Sequence, residues 1–183
     1  PRPVRSPSRK PAAPFARAHA QGAWAPTRPI RFIVPFVAGG STDVGARIIA
    51  DRMGETLGQP VIVENRGGSG GNIGGDIVAK AAPDGHTILM GVTGLLSTNK
   101  HIYRQMAFDP DRDLAPVSMA YTADMAIVVT NKLGVRTLAE FVTLARANPG
   151  KYSFGSSGHG ASTHTAAELF RQGDIPKRLI PGT

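Results

Sequence analysis

No cysteine occurs among the 183 residues, which excludes disulfides, thiolate metal sites and cysteine nucleophiles. Aromatic side chains make up only 6% of the chain, too few for a stacking platform on single-stranded nucleic acid. No uninterrupted apolar run approaches the roughly 18 residues that a membrane span needs. Acid is missing from residues 1–28, where Arg2, Arg5, Arg9, Lys10, Arg17 and Arg28 supply +6 of the formal net charge of +8. The rest of the chain holds 15 basic and 13 acidic groups and is close to neutral. The basicity therefore belongs to the leader, and the body lacks the electrostatic footprint of a nucleic-acid binder.

What is abundant is glycine and proline, 22 and 15 residues, which argues for many turns rather than a helical bundle. Apolar residues reach 41%, enough for a buried core, and the length suits one ordinary domain or two small lobes. Residues 1–28 have no apolar period and cannot offset their ordering entropy. They read as a disordered basic leader or a degraded signal segment. Ala18-His19-Ala20 before Gln21 has the small-x-small form of a signal-peptidase site, although Pro11 to Phe15 is a short, proline-broken apolar stretch.

The body repeats one pattern: apolar run, glycine-rich loop, helical period. Ile30 to Phe36 reads as a buried strand. Val44, Ile48, Ile49, Met53 and Leu57 then recur at helical spacing, with Ser41, Thr42 or Asp43 as cap and Gly58 as stop. Pro60 to Glu64 is a second strand, Ile73, Ile77 and Val78 mark a second helix, and Thr87 to Val92 is a third strand. Such alternation predicts a parallel sheet with covering helices. Beyond it the sequence predicts a helix over Leu95 to Tyr103 and a polar loop over Asp109 to Asp113. Strands are expected at Val117 to Tyr121 and Ala126 to Thr130, with a lobe crossing near Tyr121 to Asp124. A capping box at Thr137 to Glu140 opens a helix to Ala147. A strand at Tyr152 to Gly155 and a helix at Ala161 to Arg171 follow.

Three loops share one chemistry. Ala38 to Asp43, Gly67 to Asn72 and Gly155 to Thr163 each follow a strand, precede a helix and consist largely of Gly, Ser, Thr or Asn. Helix N-termini expose unpaired N–H groups and partial positive charge, glycine lets the backbone approach a ligand, and hydroxyls add donors. Tight, self-capped turns would use the same residues. The loop Gly68 to Gly74 does not fit G-x-G-x-x-G, because Ile73 holds the third glycine position, and no phosphate-binding lysine motif occurs. A nucleotide-binding α/β module is the weaker alternative, and small carboxylates are the better-suited anion. Ser157 beside His159 raises a second alternative, a serine hydrolase or transferase, but Gly155 to His159 lacks the final glycine of G-x-S-x-G. His159 and His164 are five apart and share no helical face, so no metal site is expected. Nor does any residue set call for a cofactor.

Several of these segments resemble one family. Arg28 to Phe36 running into Ala38 to Asp43, Leu57 to Arg66, Gly70 to Gly74, Ala79 to Gly85, Phe108 to Pro110, Gly155 to Gly158 and Ser162 to His164 are similar to Bug-type substrate-binding proteins. These are the periplasmic receptors of tripartite tricarboxylate transporters. The resemblance spans about residues 28–171. It implies a periplasmic-binding-protein-like fold of two α/β lobes closing on a small carboxylate. It further implies a periplasmic, non-enzymatic, monomeric receptor that meets membrane transporter subunits. By resemblance the ligand contacts are Phe36, Gly39, Gly40, Ser41, Thr42, Asp43, Asn72 and Thr93 on the first lobe. Ser156, Ser157, Gly158, Ser162, Thr163 and His164 face them from the second. The expected organisation is a leader at 1–28, a first lobe at 29–122, an incomplete second lobe at 123–171 and an irregular tail at 172–183.

Overall fold

Ile30–Val34 forms the first strand, β1, because its β-branched and aromatic residues suit a position covered on both faces. The computed structural model describes residues 24–174 and 180–181. Val61–Asn65 is β2 and Thr87–Leu89 is β3. They flank β1 in a parallel sheet of order β2-β1-β3. Ile30 pairs with Val61 and Val34 with Asn65 on one side, and Arg31 with Thr87 on the other.

Two helices make the crossovers, α1 (Ser41–Leu57) and α2 (Asn72–Ala79). The chain leaves β1 toward β2, then passes back over β1 to reach β3. Right-handed crossovers therefore put α1 and α2 on opposite faces. On the α1 side, Phe32, Val34, Ala46, Ala50 and Met90 form the core, with Ile49, Val61, Val63 and Ile88 packed against it. The two alanines let the helix sit close to the sheet. On the α2 side, approach depends on glycine: a methyl group at Gly74 would stand 3.0 Å from Pro35, and one at Gly75 would collide with the Phe108 ring. Arg31 holds Glu64 of the neighbouring strand through two bonds, Nε to Oε1 at 2.7 Å and Nη2 to Oε2 at 3.0 Å.

After β3 the backbone winds through a π-helical turn at Gly94–Thr98 into α3 (Asn99–Ile102). The helix expected over Leu95 to Tyr103 is thus realised in two differently wound pieces. The segment read as a polar loop holds a short helix, α4 (Pro110–Asp113), because proline opens it and the Asp109 carboxylate accepts the Asp111 N–H at 3.0 Å.

The next stretch corrects the sequence reading. Val117 to Tyr121 and Ala126 to Thr130 join no sheet among the described residues. Val117, Met119 and Val128 are 80% or more exposed. A strand is defined by a hydrogen-bonded neighbour, which apolar patterning alone does not supply. Helix α5 (Leu138–Ala147) follows as expected, with the Glu140 N–H donating to Thr137 Oγ1 at 3.2 Å and Glu140 Oε2 accepting the Arg136 N–H at 2.7 Å.

Ser153–Phe154 is β4 and Ser162–Asp174 is α6. The segment read as an irregular tail contains the end of α6 and a two-residue strand, β5 (Ile180–Pro181), parallel to β4. At the other end, residues 1–23, including Ala18 to Ala20, lie outside the described residues. Trp24 to Arg28, assigned to the unpacked leader, are docked. Trp24 Nε1 donates to the Asp84 carbonyl at 2.9 Å, Arg28 pairs with the Asp84 carboxylate at 2.9 Å, and the Thr27 N–H donates to His86 Nε2 at 3.2 Å. The Trp24 ring lies over Gly85, where a side chain would leave it no room. Local composition could not register contacts made some sixty residues away along the chain.

Candidate functional site

In an open parallel sheet the C-terminal strand ends, near the point where crossovers diverge, form the ligand crevice. Here that region receives the loop after β1, the loop after β2 and Thr93 after β3. Gly39 has φ +87°, a left-handed conformation that suits glycine. Gly40 is the N-cap of α1, and no side chain caps the helix. The sequence expectation of a cap by Ser41, Thr42 or Asp43 is corrected: Asp43 turns back instead, its Oδ2 accepting the Gly39 N–H at 2.8 Å. The first-turn N–H groups, which no helical carbonyl can reach, stay without a side-chain cap in a loop where Gly39, Gly40 and Ser41 are exposed.

Asp43 is buried, at 3% exposure. It is also fully engaged. Arg47 donates to Oδ2 at 3.1 Å and approaches Oδ1 at 3.0 Å, while Asn65 Nδ2 reaches Oδ1 at 2.9 Å. Arg47 foremost, then the Gly39 N–H and Asn65, hold its carboxyl down at about 2. Asn65 also donates to the Phe36 carbonyl at 3.2 Å and accepts from Arg47 at 3.2 Å. Asp43 thus braces the loop from inside, whereas Gly40, Ser41 and Thr42 form its accessible rim. Asn65 lies at the end of β2, before a glycine pair. A polar side chain at a strand end beside such a loop is the signal that would have singled it out.

The middle loop touches both others. Gly67 lies against the Phe36–Val37 backbone, where an added methyl would stand 3.4 Å away. Gly70 and Asn72 meet Asn99, whose Nδ2 donates to the Gly70 carbonyl at 3.0 Å and to Asn72 Oδ1 at 2.7 Å. Thr93 is exposed and opens the π-helical turn, its carbonyl accepting from Ser97 Oγ at 2.8 Å. Tyr121, expected as a strand end and the start of a lobe crossing but not as a site residue, donates to the Ser41 carbonyl at 3.2 Å and lies over Gly45.

The third loop is ordered by its own hydroxyls. Thr163 Oγ1 accepts the Ser157 N–H at 3.0 Å and shares a 2.7 Å bond with Ser157 Oγ. Ser156 Oγ accepts the Gly158 N–H at 3.4 Å and stands 3.5 Å from His164 Nδ1. Ser162 opens α6 and is half-buried. Rings run in series from Tyr103 to His159, His164 and Phe154, with centroids 6.2, 4.8 and 5.9 Å apart. The Ser157 hydroxyl is paired with Thr163 rather than with His159, the base that the hydrolase alternative required.

Residues 45–175 match the model of the tripartite tricarboxylate transporter family receptor. A Pseudomonas protein from the tcbD-tcbE intergenic region is 47% identical over 144 residues, which cover 79% of this chain and 43% of the relative. BugT of Bordetella pertussis is 40% identical over 80% of this chain and 45% of its own length. Among solved structures, a Rhodopseudomonas palustris protein with adipate superposes with a TM-score of 0.75 at 35% identity, covering 86% of this chain and 53% of that one. MatC of the same organism, with bound malate, gives 0.73 at 29% identity, over 86% and 54%. The chain therefore spans about half the length of the relatives it matches. The fold is that of the periplasmic binding proteins, α/β with a parallel sheet, and the chain belongs to the tripartite tricarboxylate transporter receptor family.

Proposed function

We propose that this chain forms part of an extracytoplasmic solute-binding receptor that captures a small carboxylate and presents it to the membrane subunits of a tripartite transporter. One observation carries the reading. The N-terminus of α1 is uncapped beneath an exposed glycine loop, while the buried Asp43 is neutralised by Arg47 and drawn back to Gly39. An anion at Gly40, Ser41 and Thr42 would meet first-turn N–H donors and the positive end of a helix. The second-lobe contacts are Ser156, Ser157, Gly158, Ser162, Thr163 and His164, with Asn72 and Thr93 lining the first-lobe side. Relatives with adipate and malate support a carboxylate as the ligand class. The reading includes a periplasmic location and action as a single copy.

Calorimetric titration with malate and adipate, each against its diamide, tests this. Each charge-assisted hydrogen bond lost should weaken binding by about 1.5–3 kcal/mol. Acid and amide binding equally well would overturn the anion-site reading.

A further inference from the structure

We infer that Asn99 and Tyr103 form a joint that sets the register between the middle loop and the third loop, as positioning residues that touch no ligand themselves. Asn99 has no exposed surface. Both of its amide hydrogens are committed to the middle loop, at the Gly70 carbonyl and Asn72 Oδ1. Those bonds orient its Oδ1 away from that loop, toward Gly160 of the third loop, and the oxygen is buried without a partner. Tyr103, one turn on, donates its hydroxyl to the His159 carbonyl at 2.9 Å. The short helix α3 and Tyr103, which caps its C-terminus, thereby hold both loops.

Glycine marks the same contact from three directions. A methyl at Gly70 would stand 2.6 Å from the His159 carbonyl oxygen and 2.9 Å from the Tyr103 hydroxyl. At Gly94 it would collide with the Gly160 carbonyl, and at Gly160 with Asn99 Oδ1. Three glycines at one meeting of backbones leave no side chain to space the loops, so their separation is set by the Asn99 and Tyr103 hydrogen bonds. A buried acceptor without a donor is costly. Movement of the Gly158–Gly160 backbone onto Asn99 Oδ1 would satisfy it, which makes a tighter register than the one observed accessible.

Amide hydrogen exchange on the whole chain, without ligand, tests the joint. In Asn99→Asp, whose carboxylate cannot donate to Gly70 or Asn72, the Ser157 and Ala161 amides should exchange about tenfold faster. The sheet amides of Arg66 and Met90, bonded to the Val34 and Ile33 carbonyls, should not change. Tyr103→Phe removes one hydroxyl and should give the same pattern, about threefold. It keeps the test open if the first variant folds poorly. Unchanged loop exchange, or acceleration spread equally over sheet and loop, would overturn the proposal. Its affinity consequence rests on the carboxylate reading. Well below the melting midpoint, Asn99→Asp should weaken malate or adipate binding about tenfold, and equal affinity would count against the joint. If the unaltered chain binds neither acid, the carboxylate reading fails and the exchange result alone decides the joint.

Discussion

Strand β1 and Ala126 to Thr130, the second of the two strands expected between Val117 and Thr130, read alike in sequence: both are short, apolar and rich in β-branched residues. In the structure they differ completely. Ile33 and Val34 of β1 have no exposed surface, with strands on both sides and α1 and α2 above and below. Val117 is 91% exposed and Val128 86%. The difference is one of neighbours. β1 sits between β2 and β3, each delivered by a right-handed crossover close in sequence, whereas no described strand is delivered to Val117–Thr130. Apolar pattern states that a segment can be buried; topology decides whether it is.

The largest expected effect sharpens this contrast. Ile33→Ala removes side-chain volume from a fully buried position in β1 and should cost about 2–5 kcal/mol in denaturant melts. A loss below 1 kcal/mol would mean that the sheet is not the stable unit. Acid should then weaken the same region. Arg47 and its neighbours lower the Asp43 carboxyl to about 2, and Arg31 foremost lowers that of Glu64 to about 2, from ordinary values of 3.8 and 4.5. Because the folded-state values are depressed, their stabilisation is complete above those ordinary values and is lost as pH falls toward 2. Melting temperature should drop across that window, and Asp43→Asn combined with Glu64→Gln should flatten the slope. An unaltered slope would show that these pairs do not act on stability.

Smaller effects belong to Val117–Thr130 and to helix α5, which follows it. Thr137→Ala removes the α5 cap and should cost about 1 kcal/mol. The expected reading is local loss of helix in circular dichroism with the sheet melt unmoved. Coupled loss of both would show that the two regions melt as one. Smallest of all, Val128→Ala should change stability by less than about 0.5 kcal/mol, since little is buried there. A cost like that of Ile33→Ala would break the comparison by revealing a partner for that segment in solution.

Some elements were legible because their causes are local. The periods of α1 and α5, the Thr137–Glu140 box and the stop at Gly58 depend on residues within a few positions of each other. The three polar loops were equally legible, since glycine and hydroxyl residues between a strand and a helix carry their chemistry in composition. Asp43 shows where this ends. Its residue type suited either a cap or a ligand contact; Arg47 lies at helical pairing distance four residues on, but Asn65 reaches Asp43 only because β2 pairs with β1.

Determined by the sequence itself are the parallel α/β alternation, the near-neutral body, the absence of thiol chemistry and the order of the three glycine- and hydroxyl-rich loops. Each follows from the properties of residues taken singly or in short windows. Tertiary structure alone decided that Trp24 docks on the Asp84–His86 turn, that Val117 to Thr130 pairs with no described strand, and that Asn99 binds Gly70 and Asn72 with its Oδ1 turned toward Gly160. Those outcomes depend on pairs of residues from 27 to about 80 positions apart, such as Asn99 with Asn72 and Tyr121 with Ser41. Their energies come from burial and hydrogen-bond geometry that exist only once the chain has closed on itself.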